Sequence, residues 1–202
     1  MAPKSRIVGP EEHIHGPENA EHELRKAYNS VVETGVTHFW DRKPIQNVNT
    51  EEAHTLYRRA YQSFRQNNRL AAERWARATK HLSRALWHEA KIAYLHSHLH
   101  ELPVLGGATP EDINLHEESD TTQDLLQSLA EHTPPGLTEM PEEMRRYLSR
   151  AQRHLDALSH PELRDELLRA EMIKAAHEYG RVIECLALGY EAEGKTGDRN
   201  AA

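Results

Sequence analysis

Apolar and small residues recur at Ala71, Trp75, Ala78, Leu82, Ala85, Ile92 and Leu99, mostly in alternating steps of three and four. The stretch that carries them, Arg69 to Glu101, holds neither Pro nor Gly and consists mostly of good helix formers. That periodicity predicts one long amphipathic helix with a face turned to a core. A second stripe, Leu163, Leu167, Ala170, Ile173, Ala176, Gly180, Ile183 and Leu186, predicts another long helix over about 161–191, opened by Ser159-His160-Pro161-Glu162. Shorter stripes predict helices from Pro17 to Gly35, from after Thr50 to about Asn67, and from Pro141 to about Leu158. In the acidic middle, Thr109-Pro110-Glu111-Asp112 reads as one helix start and Asp120 as the cap of another, ended by Pro134-Pro135-Gly136. The connector THFWDRKPIQNVN reads as a loop whose aromatics, Trp40 included, pin it to the body.

These elements predict an all-α fold: an antiparallel helical bundle built on two long helices, about 69–101 and 161–191, with shorter helices packed around them. The expected organisation is a disordered arm over 1–16, one helical domain over 17–192 and a disordered tail over 193–202. The two halves look alike: EEAHTLYRRA in the first matches EEMRRYLSRA in the second, and each long helix carries a His-Glu step, His88-Glu89 and His177-Glu178. A duplicated hairpin packed as an up-down four-helix bundle accounts for both.

The run AHTLYRRAYQSFRQNNRLAAERWARA resembles one tetratricopeptide-type hairpin, with Leu56, Tyr61, Ala71, Trp75 and Ala78 near the usual roles. It departs from that family in spacing by about one residue, in a second helix more than twice the usual length, and in having no tandem array. Peptide binding is not carried over from it.

Charge changes the picture. The net charge is −7, but nine Lys or Arg stand against two Glu between Arg58 and Lys91, and eleven acidic residues with no Lys or Arg fill Glu101 to Glu143. The simplest expectation is that the acidic middle lies against the basic helices, in the same chain or in a second copy. The stripe Arg77, Lys80 or His81, Arg84, His88 and Lys91 is the best case for a polyanion. Net acidity and the lack of a recognition helix or glycine-rich phosphate loop argue against nucleic acid. No run approaches the roughly 20 apolar residues of a membrane span. The first residues lack the apolar centre of a secretory signal. The lone Cys185 excludes an internal disulfide and fits a cytoplasmic location.

Fifteen histidines invite a metal reading. His96 and His100 share a helical face. Glu89 falls on the inward stripe, where a Tyr hydroxyl, a histidine of a facing helix or a metal must satisfy it. His177 and Glu178 are its counterparts on the second long helix, and Glu171 lies one heptad before Glu178. The candidate metal ligands are therefore Glu89, His96, His100, His177 and Glu178, for zinc, iron or another transition metal. Neighbouring His and Glu point about 100° apart, and no Glu-x-x-His lies on either long helix. Cys185 reads as a buried apolar group. The leading expectation is a non-catalytic binding or scaffolding protein that self-associates or meets a protein partner, with no cofactor. A metal-binding, oxidoreductase-like bundle and a nucleic-acid adaptor are the rivals, and the sequence does not decide whether the chain is an enzyme.

Overall fold

The computed structural model describes residues 17–36, 38–40, 43–45, 48–98, 115–131, 133, 137–160 and 165–200. Among them run six helices: α1 (Pro17–Gly35), α2 (Glu51–Arg65), α3 (Arg69–His98), α4 (Leu115–Glu131), α5 (Glu142–Leu158) and α6 (Glu166–Asn200). The expected 1–16 arm, the Thr109 helix start and His100 lie outside the described residues. The connector after α1 is not simply a loop. It forms an antiparallel ribbon of two short strands, β1 (His38–Trp40) and β2 (Lys43–Ile45), with Phe39 opposite Pro44. Ile45 is buried, whereas the side chain of Trp40 is outside the description.

Local chemistry sets the boundaries. Thr50 precedes α2 but makes no capping bond; the Glu51 amide donates instead to Asn49 Oδ1 at 3.0 Å. Asn67 turns the chain with φ 61°, a region asparagine tolerates. Asn68 Oδ1 then accepts the Ala71 amide at 3.2 Å and caps α3. Asp165 caps α6 by accepting the Leu168 amide at 2.7 Å. The second long helix thus begins after the expected Pro161 and runs on to Asn200, beyond the expected end near 191. Helix α4 begins at Leu115, ahead of the expected Asp120 cap.

α3 and α6 lie side by side and antiparallel: Gly189 backs onto Trp75, Glu178 meets His81, and Glu171 meets His88. α2 packs on α3 and α5 on α6. Ion pairs join α2 to α5 and close the ring: Arg59 with Glu143 at 3.3 Å, and Arg150 with Glu52 at 2.8 Å. α1 covers the α2–α3 side and α4 the α5–α6 side, so each half contributes three helices. The all-α bundle on two long helices is what the periodicity predicts.

The main core runs through Leu56, Trp75, Leu82, Leu86, Tyr147, Tyr179, Ile183 and Leu186, with Leu24 and Val31 from α1. A smaller cluster of Ile92, Leu95, Leu168, Met172 and Ala175 fills the other end of the α3–α6 seam. α3 meets α1, α2 and α6, so it is buried on most sides. Its Ala71, Ala72, Ala76, Ala78 and Ala85, all at 0% exposure, allow those helices to approach closely. The acidic α4 does not pack on the basic α3. It lies on α6 and α5, placing Leu125 and Leu126 against Gly180, because its apolar stripe fits that small residue.

Candidate functional site

The seam between α3 and α6 concentrates the titratable side chains. Heptad spacing puts His81 and His88 on one face of α3, and Glu171 and Glu178 on one face of α6. Antiparallel packing matches them as two rungs. His81 Nδ1 lies 2.6 Å from Glu178 Oε2, and His88 Nδ1 lies 2.5 Å from Glu171 Oε2. Lys91 donates to both Glu171 oxygens at 3.2 Å, and Lys174 stands 3.5 Å away. Glu171 is 2% exposed. Burial alone would raise its pKa, but the His88 bond and the Lys91 charge outweigh burial and hold it down at about 2. Glu178 is lowered in the same way: burial is opposed by His81 and by Arg84, 3.7 Å away.

A third histidine–carboxylate pair joins α3 to α5. His154 Nε2 stands 3.3 Å from Glu89 Oε1. Burial raises the Glu89 pKa, but the bonds from His154 and the Tyr179 hydroxyl, with Arg150 nearby, bring it below the usual range. Arg150 continues this network to Glu52 on α2. Tyr179 and Tyr147 stack at 5.8 Å, and burial lifts both phenols, Tyr147 to about 12. At the far end of the bundle, the Trp75 indole donates to Glu193 at 2.7 Å under the Arg59 guanidinium, 3.7 Å from the ring centre. Tyr190 donates to Glu143 beside it.

The candidate metal ligands do not converge. Glu89 meets His154 and Tyr179 in place of His177 or Glu178, and Glu178 meets His81. His96 and His177 are exposed. Among the described residues no group of three or more His, Cys, Asp or Glu side chains is placed to hold a metal ion. The satisfied Glu89 is as the inward stripe requires, through a hydroxyl and a facing-helix histidine together. The basic stripe of α3 is likewise paired. Arg77 meets Glu73 at 2.7 Å, Lys80 meets Glu23 at 3.4 Å, and His81, Arg84, His88 and Lys91 meet the two α6 carboxylates. Cys185 is buried, and burial pushes its thiol up to about 11, unsuited to nucleophilic work. Sequence reasoning missed His154 and the pairing of the two rungs. Glu171 and Glu178 repeat at the same heptad spacing as His81 and His88, which is the signal that points to the rungs.

No protein-family model, curated protein sequence or solved structure matches this chain. No described helix is long and apolar enough to cross a membrane.

Proposed function

We propose that this chain is a non-catalytic helical binding or scaffolding protein that self-associates through the outer face of α1 and α2. The observation that carries the reading is where exposed apolar groups collect. Of the five large apolar side chains exposed among the described residues, Tyr28, Val32 and Val36 lie on or just past α1 and Tyr61 lies on α2. Tyr57 joins them, its ring 5.7 Å from that of Tyr28. Aromatic side chains gathered on one face mark a protein contact better than scattered ones do. The interior histidines and carboxylates support the non-catalytic part, since each of the three pairs satisfies itself across a helix seam.

The occupant is a second copy. Glu21 on α1 and Arg58 and Arg65 on α2 rim the patch with both charges, and two-fold apposition lays α1 of one copy on α2 of the other. Two helices about 10 Å wide and about 22 Å long give a face of about 450 Å² per copy. That is near the lower limit of about 1,000 Å² in total for a specific interface, so the dimer is weak and concentration-dependent. Light scattering from about 10 μM to about 1 mM, a range that brackets weak association, tests it. The expected mass rises toward a dimer and stays monomeric in Tyr28→Glu/Tyr61→Glu. A monomer throughout, or a double variant that dimerises like the parent, refutes the reading.

A further inference from the structure

The chain has seven tyrosines, and among the described residues two pairs of them bring their rings together across helices. Tyr147 of α5 and Tyr179 of α6 stack at 5.8 Å with their planes 17° apart, and they lie in the main core at 1% and 0% exposure. Tyr28 of α1 and Tyr57 of α2 stand at nearly the same separation, 5.7 Å, with planes tilted by 53°. This second pair faces water: Tyr28 is 52% exposed and Tyr57 is half-buried. One turn further along α2, Tyr61 is 48% exposed and shares the face of Tyr57. α1 and α2 pack on each other, so the fold itself holds the Tyr28 and Tyr57 rings at contact distance.

Two phenols in contact at a surface have one characteristic reaction. An oxidant that accepts electrons singly takes one from each phenol, the phenolic protons pass to water, and two phenoxyl radicals remain. The radicals join by a carbon–carbon bond between ring positions ortho to the oxygens. The hydrogens on those carbons then move to the oxygens as aromaticity returns. Two hydrogens leave the protein in all, and one hydrogen peroxide that accepts them becomes two waters. Phenoxyl radicals carry no charge, which suits a half-buried ring: burial, then the neighbouring Tyr28 and Tyr61, raises the Tyr57 pKa and keeps the phenol neutral. Tyr28 and Tyr61 give the oxidant two exposed points of entry, and a radical formed at Tyr61 has one helical turn to cross. Cys185, whose thiol could quench such radicals, is buried on α6 and away from this face.

From this geometry we infer that Tyr28 and Tyr57 are an oxidative modification site, coupling within one chain to a dityrosine in the presence of a peroxidase-type one-electron oxidant and hydrogen peroxide. Rings already in contact react as a unimolecular pair, which favours this coupling over encounters between separate chains. The core pair Tyr147–Tyr179 is equally close but out of reach of the oxidant, so access decides which pair reacts. The new bond ties α1 to α2 through their outer face. That face is the one assigned above to self-association, yet the coupling needs no second copy, because both rings belong to one chain.

The test treats the full chain with a haem peroxidase and hydrogen peroxide at about 1 μM, a concentration below weak self-association. The expected product is a monomer that has lost two hydrogens and shows the blue fluorescence of dityrosine. Cleavage after Lys and Arg leaves the three tyrosines of this face in separate peptides, 27–42, 43–58 and 60–65, and the first two should appear as one linked species. Tyr28→Phe and Tyr57→Phe each lower the fluorescence at least about tenfold, since the phenols that remain must meet by diffusion. Tyr147→Phe leaves it unchanged, and Tyr61→Phe keeps the linked peptide. Tyr28 is exposed, so its replacement leaves the fold in place and covers the case of a Tyr57 variant that does not fold. Consumption of the exposed tyrosines without any dityrosine overturns the proposal. So does fluorescence that survives Tyr28→Phe, or covalent dimers in place of the linked monomer. The dimer outcome puts the reactive contact between copies, so this inference and the self-association reading fail separately.

Discussion

Glu171 offers the sharpest test of how the bundle is held together. Its carboxylate is 2% exposed and faces His88, Lys91 and Lys174, the first two from α3 and the last from its own helix. Its pKa falls from an ordinary 4.5 to about 2, against the upward push of burial. A folded-state pKa below the unfolded one means stability that is fully present above about pH 4.5 and is lost as pH falls toward 2. At about 1.4 kcal/mol per pH unit, the difference corresponds to roughly 3 kcal/mol. Glu171→Gln keeps the shape and removes the charge, leaving Lys91 and His88 against a neutral amide in a desolvated seam. Breaking one side of a buried pair typically costs about 3–5 kcal/mol, which agrees with the linkage figure. In a chain of this size, roughly 3 kcal/mol lowers the melting temperature by about 6–12 °C. Urea unfolding followed by far-UV circular dichroism at pH 7 should show the full loss. Repeated at intervals down to pH 2.5, the gap between parent and variant should close, because protonation removes from the parent what the substitution removed from the variant. A gap below about 0.5 kcal/mol at pH 7, the range of an unremarkable surface change, would refute the argument. A gap that stays constant from pH 5 to pH 2.5 would do the same.

Two further expectations follow from packing and burial. A Cβ at Gly189 would sit 2.9–3.0 Å from three atoms of the Trp75 indole, which is fixed by Glu193 and Arg59, so Gly189→Ala should cost about 1–3 kcal/mol. At Gly180 the closest atom is a terminal methyl of Leu125 at 2.8 Å, which can rotate away. The helix gain of about 1 kcal/mol for alanine then leaves Gly180→Ala within about 1 kcal/mol of neutral. Urea midpoints for the pair decide it, and the reverse order would be wrong for this packing. Cys185, buried with its thiol raised to about 11, should resist iodoacetamide at pH 7.5 in the folded chain and react once urea unfolds it. Labelling at equal rates in both states would contradict its burial.

The helices were legible because their signals are local. Apolar steps of three and four mark α3, and Pro17, Asn67-Asn68 and Pro141 fall at helix boundaries. The inward position of Glu89 was legible for the same reason. Its partner was not, since His154 lies on α5, which packs on α6, and only the reach of the two side chains brings it to Glu89 on α3. The expected convergence of Glu89 with His177 rested on the likeness of two His-Glu steps. It assumed equivalent rotation about both helix axes, whereas His177 turns to solvent while His88 reaches Glu171. Composition also misplaced α4 within the chain. Net charge favours α4 against α3, but α4 packs by Leu125 and Leu126 onto Gly180, and the compensating charge for α3 comes from α6 and Glu23.

The matching of charges also explains why α3 and α6 take one register. A seam of alanines and leucines repeats closely every seven residues, so apolar packing alone distinguishes poorly between alignments one heptad apart. The rungs do distinguish them. Sliding α6 by seven residues would place His88 opposite Glu178 or His81 opposite Glu171, leaving the other histidine and carboxylate without each other in a desolvated seam. The same slide would drive Trp75 away from the gap at Gly189. On the outer side of the ring, Arg59 reaches Glu143 while Arg150 reaches Glu52. In EEAHTLYRRA and EEMRRYLSRA these four residues hold matching places, the second Glu and the ninth-position Arg of each ten. Each half therefore gives the other the contact it receives, the reciprocity of a two-fold arrangement within one chain. Polar groups that would be a cost in a uniform interior thus act in pairs to select a single alignment from several that hydrophobic packing alone would tolerate.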